Sequence, residues 1–195
     1  LYTPEQLGIY TLVITIVSLF GPVMCGKYDM SIVSAKDEKE AMELVVAGAF
    51  FSIVFLLPVI FGYRYYLIIN PEIIEEIGGF AYLLIGILIV TAFINILTSY
   101  NNRHKEYKTI SSVYILRTIV QNIGLIMFGL LKAGSIGLLF SQFFGLLFGL
   151  KKQSKHLVRS KLLFREVSLE DLKSTMLKYK NQPLFSMPSH FVNSA

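Results

Sequence analysis

Tryptophan is absent, cysteine occurs once, and charged residues make up only 16% of the 195-residue chain. One cysteine, Cys25, excludes an internal disulfide framework and a cysteine-rich metal site, and it reads as a small apolar filler near a helix end. Scarce charge, set against 54% hydrophobic residues and a mean hydropathy of +0.60, leaves too little polar surface to cover a water-soluble domain. No CxxC, HExxH, GxSxG or Walker-type loop is present, which removes the common thiol, zinc, serine-hydrolase and nucleotide chemistries. His104, His156 and His190 stand far apart in polar sequence without metal-ligand spacing, so they are expected to be solvated loop residues.

Long apolar runs are what the chain does have. Five of them, Gly8 to Gly26, Met42 to Gly62, Gly78 to Ser99, Thr109 to Leu131 and Ala133 to Leu150, are each long enough to cross a bilayer as a helix. At 1.5 Å per residue such runs extend about 27 to 35 Å, the thickness of a hydrocarbon core. The fold class expected is therefore all-α integral membrane, with five complete transmembrane helices and the start of a sixth from Pro183 onward.

Basic residues alternate between the gaps. Of the 18 Lys and Arg, 15 fall in residues 27–41, 100–108 and 151–182, while the intervening gaps hold Arg64 and Lys132. By the positive-inside rule the three basic gaps are cytoplasmic, and Leu1 to Leu7, Tyr63 to Ile77 and the turn at Lys132 face outward. Loop-borne charge of this kind does not make a nucleic-acid surface, so the net charge of +5 is assigned to the inner leaflet instead. Residues 1–150 read as a transmembrane bundle and 151–182 as a basic linker. Within the linker Ser168 and Asp171 have capping-box spacing, and Leu169, Leu172, Met176 and Tyr179 form the apolar edge of a short helix on the membrane surface. Ser34 and Asp37 have the same spacing before the second span. Residues 183–195 read as the beginning of a further span, and the chain as a piece of a longer polytopic protein.

The fourth run is the least apolar. Tyr114, Arg117, Thr118, Gln121 and Asn122 follow helical spacing and form one polar stripe. A guanidinium left in lipid costs roughly 2.5–3.5 kcal/mol at the centre of the bilayer. The stripe is therefore expected to face a cationic, water-accessible cavity, with Asn95 and Gln142 adding to its wall. Arg117 snorkelling back to the inner headgroups is the other reading. Pro22 and Pro58 predict local breaks in the first and second spans, and Gly145 with Gly149 predicts a close helix contact.

Four segments together resemble the polysaccharide-repeat-unit flippases of the multidrug/oligosaccharidyl-lipid/polysaccharide exporter superfamily. They are Pro4 to Tyr10, Lys27 to Val33 followed by the acidic helix start at Glu38 to Leu44, Asn102-Arg103 with Tyr107-Lys108, and Lys178 to Lys180 with Pro183, Pro188-Ser189 and Asn193. The resemblance implies a two-bundle alternating-access transporter, of which these spans would be the second to sixth. It implies a cargo of oligosaccharide linked through pyrophosphate to undecaprenol, coupling to a proton or sodium gradient, residence in the bacterial cytoplasmic membrane, and possible company of other polysaccharide-assembly proteins. No resident cofactor or metal is implied. Arg117, Gln121, Asn122, Asn95, Lys27, Asp29 and Arg103 are the expected substrate-binding residues, with Lys27 and Arg103 at the cytoplasmic mouth. Lys27 stands where the family commonly has arginine, and lysine acts on phosphate as a point charge. A multidrug exporter of the same fold and a membrane enzyme of polysaccharide assembly are the alternatives. The cationic stripe argues against the exporter, and the short outer segment with only Glu72, Glu75 and Glu76 argues against the enzyme.

Overall fold

The computed structural model of the chain describes residues 1–160 and 163–194, so Lys161 of the basic linker and Ala195 lie outside the described residues. It is 86% helical, and no strand occurs among the described residues. The order is α1 (Pro4–Phe20), α2 (Tyr28–Ile32), α3 (Glu38–Ile69), α4 (Pro71–Ile77), α5 (Leu83–Arg103), α6 (Tyr107–Leu130), α7 (Gly134–Leu147), α8 (Leu150–Gln153), α9 (Lys155–Arg159), α10 (Leu169–Lys178) and α11 (Met187–Ser194). Five segments are long and apolar enough to cross a membrane: Pro4–Val23, Glu38–Ile69, Pro71–Arg103, Tyr107–Leu130 and Gly134–Gln153.

α5 is the centre of the bundle. Leu84, Ile87, Leu88, Ile96, Leu97 and Tyr100 are all but fully buried on it, and it packs against α1, α2, α3, α6 and α7. The periphery is the reverse of a soluble protein. Phe50, Ile53 and Phe61 on α3 and Ile115, Ile119, Ile123 and Ile126 on α6 are exposed, an apolar girdle of the kind that lipid or further helices cover.

Glycines set the α6–α7 hairpin. A Cβ added at Gly137 would stand 2.7 Å from Phe128 Cβ, and one at Gly145 would stand 2.8 Å from Gln121 Cβ. The Gly145–Gly149 pair is thus the close contact its spacing predicts. α7 itself is only 14 residues long. It ends where Phe148 turns extended and Gly149 adopts φ 80°, a left-handed position facing Val113.

Three local expectations gain detail. Residues 63–77, expected as a short outward-facing segment, are helical, because α3 runs on to Ile69 and α4 follows. Tyr63, Leu67, Ile73 and Ile77 are buried along this stretch, and the Tyr63 hydroxyl donates to Ala81 O at 3.0 Å, so the apolar pattern continues past the span. The cap of α3 is Asp37, not Ser34: its carboxylate accepts from Glu40 N at 2.8 Å, while Glu40 accepts from Lys36 N. α10 begins at the expected Ser168 cap, but it is docked on protein. Leu172, Met176 and Tyr179 pack on the core, Leu169 is exposed, Lys39 reaches Asp171 at 2.8 Å, Thr175 donates to Glu43, and Lys178 pairs with Glu40.

These contacts divide the molecule into two ends. Residues 27–41, 100–108 and 150–178 meet at one of them, here the basic end. Leu1 to Gln6, the α3–α4 region and the α6–α7 turn meet at the other, where Tyr2 donates to Leu125 O and Ser135 donates to Glu76. The alternation of charge along the sequence thus becomes a separation in space.

Candidate functional site

A corner after α1 builds the site. Pro22 cannot donate to the helix, so α1 gives way to a single 3-10 turn, Gly21–Val23. Gly26 and Lys27 then both take left-handed conformations, φ 59° and 62°. Only glycine fits at 26, since an added Cβ would lie 2.8 Å from the Phe51 ring. For Lys27 the left-handed backbone is a strained state held by its surroundings. It is the residue that starts α2.

Around this corner α1, α2, α5 and α7 line an open cavity of about 390 Å³. Its lining is Val17, Ser18, Pro22, Lys27, Asp29, Thr91, Asn95, Gln142 and Leu146. Lys27 also borders a second cavity, of about 590 Å³, between α2 and the terminal segment, lined by Ser31, Ser34, Gln182, Ser186, Ser189 and His190 among others. Lys27 takes part in none of the ion pairs among the described residues. Asp29 is 8% exposed, and its Oδ1 has no hydrogen-bond partner. Burial raises its pKa, opposed by the Lys27 charge and by the amides of Asp29 and Met30. Asn95 donates to Gly21 O at 2.9 Å, which fixes the end of α1 to α5.

Of the seven residues expected to bind substrate, Lys27, Asp29 and Asn95 therefore share one cavity, and the expected wall residue Gln142 joins them. Gln121 stands one step behind, donating to Gln142 Oε1 and within 3.4 Å of the Tyr10 hydroxyl. The stripe on α6 divides. Tyr114, Thr118 and Asn122 are exposed, and Asn122 donates back to Thr118 O. Arg117 and Gln121 turn toward α7.

Arg117 does not line the cavity. Its Nε donates to Phe148 O at 3.1 Å and its Nη2 to Gln153 Oε1 at 2.7 Å. The guanidinium thus serves a carbonyl freed where α7 breaks, as irregular backbone in a membrane requires. Gln153 is buried, donates to Thr98 Oγ1 at 2.7 Å, and accepts from Asn101 Nδ2 through its carbonyl, so α5, α6 and α8 are joined at one point. Arg103 is likewise engaged. It pairs with Glu38 at 2.9 Å and donates to Ile32 O and Ala35 O, which caps the end of α2.

Two histidines that read as solvated loop residues are instead neighbours. The rings of His104 and His156 lie 5.4 Å apart, His156 Nε2 meets Glu106 at 3.0 Å, and His104 Nε2 stands 3.5 Å from Glu38. The Thr109 hydroxyl and His156 hold the Glu106 carboxyl below its usual pKa. No signal in their spacing announces this pair. Among the described residues no group of three or more His, Cys, Asp or Glu is placed to hold a metal ion.

The bundle, its apolar girdle and the polar corner at one end define a helical, multi-pass membrane protein. Compared with known proteins, the chain matches no protein-family model, no curated protein and no solved structure.

Proposed function

We propose that the chain forms part of a flippase that carries undecaprenyl-pyrophosphate-linked oligosaccharide repeat units across the cytoplasmic membrane for surface polysaccharide synthesis. The observation that supports this most is the state of Lys27. Among the described residues it is a cation in no ion pair, set at the end of membrane-length helices and shared by two cavities. A diphosphate cannot enter hydrocarbon bare, and a fixed cation with amide and hydroxyl groups nearby substitutes for part of its hydration. Asn95, Gln142, Thr91 and Ser18 supply such groups, and they suit sugar hydroxyls as well. The four family-like segments add to this reading. One of them, Lys27 to Val33, begins at the corner and contains α2. In this reading Lys27 replaces Arg117 as the first contact for the diphosphate, and Arg117 keeps the α7 break closed beside it.

The test is Lys27→Ala in the full-length protein in its own cell. Loss of one charge-assisted contact predicts about a tenfold fall in surface polysaccharide, with lipid-linked units accumulating on the inner leaflet and protein amount unchanged. Normal polysaccharide output at normal expression would overturn the proposal.

A further inference from the structure

Asp29 stands two positions beyond Lys27 on the first turn of α2 and shares its cavity, yet no ion pair joins the two. A carboxylate 8% exposed with an unpartnered oxygen is an unusual thing to retain beside an anion site. Ionised, it places a negative charge where an incoming diphosphate would bring about two more. Protonated, it leaves the Lys27 charge unopposed. From this juxtaposition we infer that the Lys27 cavity is a proton-linked anion site, in which protonation of Asp29 and binding of a diphosphate favour one another. This rests on the anion-binding role given to Lys27 above.

Among the residues that line this cavity, Lys27 and Asp29 are the ionisable ones. From α1, α5 and α7 the cavity receives Ser18, Thr91, Asn95 and Gln142, none of which ionises. From the turn before α2 it feels Lys27 and Cys25, and the buried thiol is pushed up to about 12 and stays neutral. On α3 Glu40 and Glu43 are engaged by Lys178 and Thr175 of α10, and Glu38 by Arg103 of α5, which also donates to Ile32 O at the end of α2. His190 of α11 borders the second cavity, on the far side of Lys27. Burial raises the pKa of Asp29 above its ordinary carboxylate value, against the Lys27 charge and the two backbone amides. By linkage the two effects are equal: a proton on Asp29 raises anion affinity by the factor by which the anion raises proton affinity. Anion capture is therefore strengthened by acid and weakened by alkali.

The experiment is pyrophosphate binding to the detergent-solubilised chain at about pH 5.5 and about pH 8, for the wild type and Asp29→Asn. Because pyrophosphate titrates identically in both, the ratio of the two affinities isolates Asp29. Asp29→Asn is expected to bind about tenfold tighter than wild type at the higher pH, with the two converging at the lower. A ratio that is constant with pH, or weaker binding by the variant at the higher pH, overturns the inference while leaving Lys27 as an anion site. Absence of binding in every protein at both pH values overturns it together with the anion-binding role of Lys27. Should Asp29→Asn not fold, infrared difference spectra of the wild type decide: a protonated carboxyl band gained on binding is expected, and its absence overturns the inference. Farnesyl diphosphate in a parallel arm separates the sources. A pH-dependent gain larger than with pyrophosphate assigns a lipid-borne diphosphate, and an equal gain assigns the free anion; either supports the linkage.

Discussion

Arg117 and Lys27 each stand beside a break in a membrane-length helix, Arg117 at the Phe148–Gly149 corner of α7 and Lys27 at the turn that follows Pro22. At the first corner the freed carbonyl and the cation satisfy each other, and a buried glutamine completes the set. At the second, the carbonyl of Gly21 is served by the neutral amide of Asn95, and the cation is left over. The same ingredients thus give a closed joint in one place and an open, charged pocket in the other. The difference lies in which donor reaches the broken backbone first. Arginine in a membrane helix is consequently not a binding residue by virtue of its charge; its partners decide.

The contrast can be broken most severely at Arg117. Arg117→Ala leaves Phe148 O and the buried Gln153 Oε1 without their donor and is expected to lower stability by about 2 kcal/mol. Lys27→Ala should stay within about 0.5 kcal/mol of wild type. Thermal unfolding of the solubilised protein by circular dichroism compares the two, and equal losses would erase the distinction. Next in size is the α7 break itself. Gly149→Ala must hold φ 80° with a Cβ 2.8 Å from Val113 Cγ1, for a loss of about 1–2 kcal/mol in the same assay. Gly62→Ala, whose Cβ meets nothing within 4 Å, should be neutral or slightly stabilising.

The smallest effect concerns the clamp of α10 at the basic end. Lys178 pairs with Glu40, and Lys39 with Ser168 holds the Asp171 carboxyl below its usual pKa. Carboxyls depressed in the folded state stabilise it above the ordinary carboxylate range, near pH 4, and that contribution is lost as pH falls through their lowered values. Docking of α10 is therefore firm at neutral pH and loosens in acid. Lys178→Ala should speed hydrogen exchange of α10 amides roughly threefold at neutral pH, an effect that high salt reproduces in the wild type.

The spans and their polarity were legible because each rests on a local property. Run length fixes a membrane helix, and charge in alternate gaps fixes which ends meet. The break at the end of α1 was legible for the same reason, since Gly21 and Pro22 mark it side by side in the sequence. Arg117 was not, because its partners lie 31 and 36 positions away and one of them is a backbone carbonyl, which no side-chain pattern reports. The polar stripe on α6 also misled by its regularity. Helical spacing puts five residues on one side but does not say that residues 117 and 121 turn to a neighbour while 114, 118 and 122 remain uncovered. His104 and His156 meet only because α5, α6 and α9 converge at the basic end, a tertiary fact.

The Tyr28 hydroxyl reaches Met176 O at 3.4 Å, so α10 grips the residue directly adjoining Lys27 as well as the overhang of α3. Tension arriving along the polypeptide from beyond Lys178 would be delivered through that tether to the strained turn. The linker would then act as a lever arm: tilting it would swing the lysine relative to Asn95, which remains anchored to the central helix.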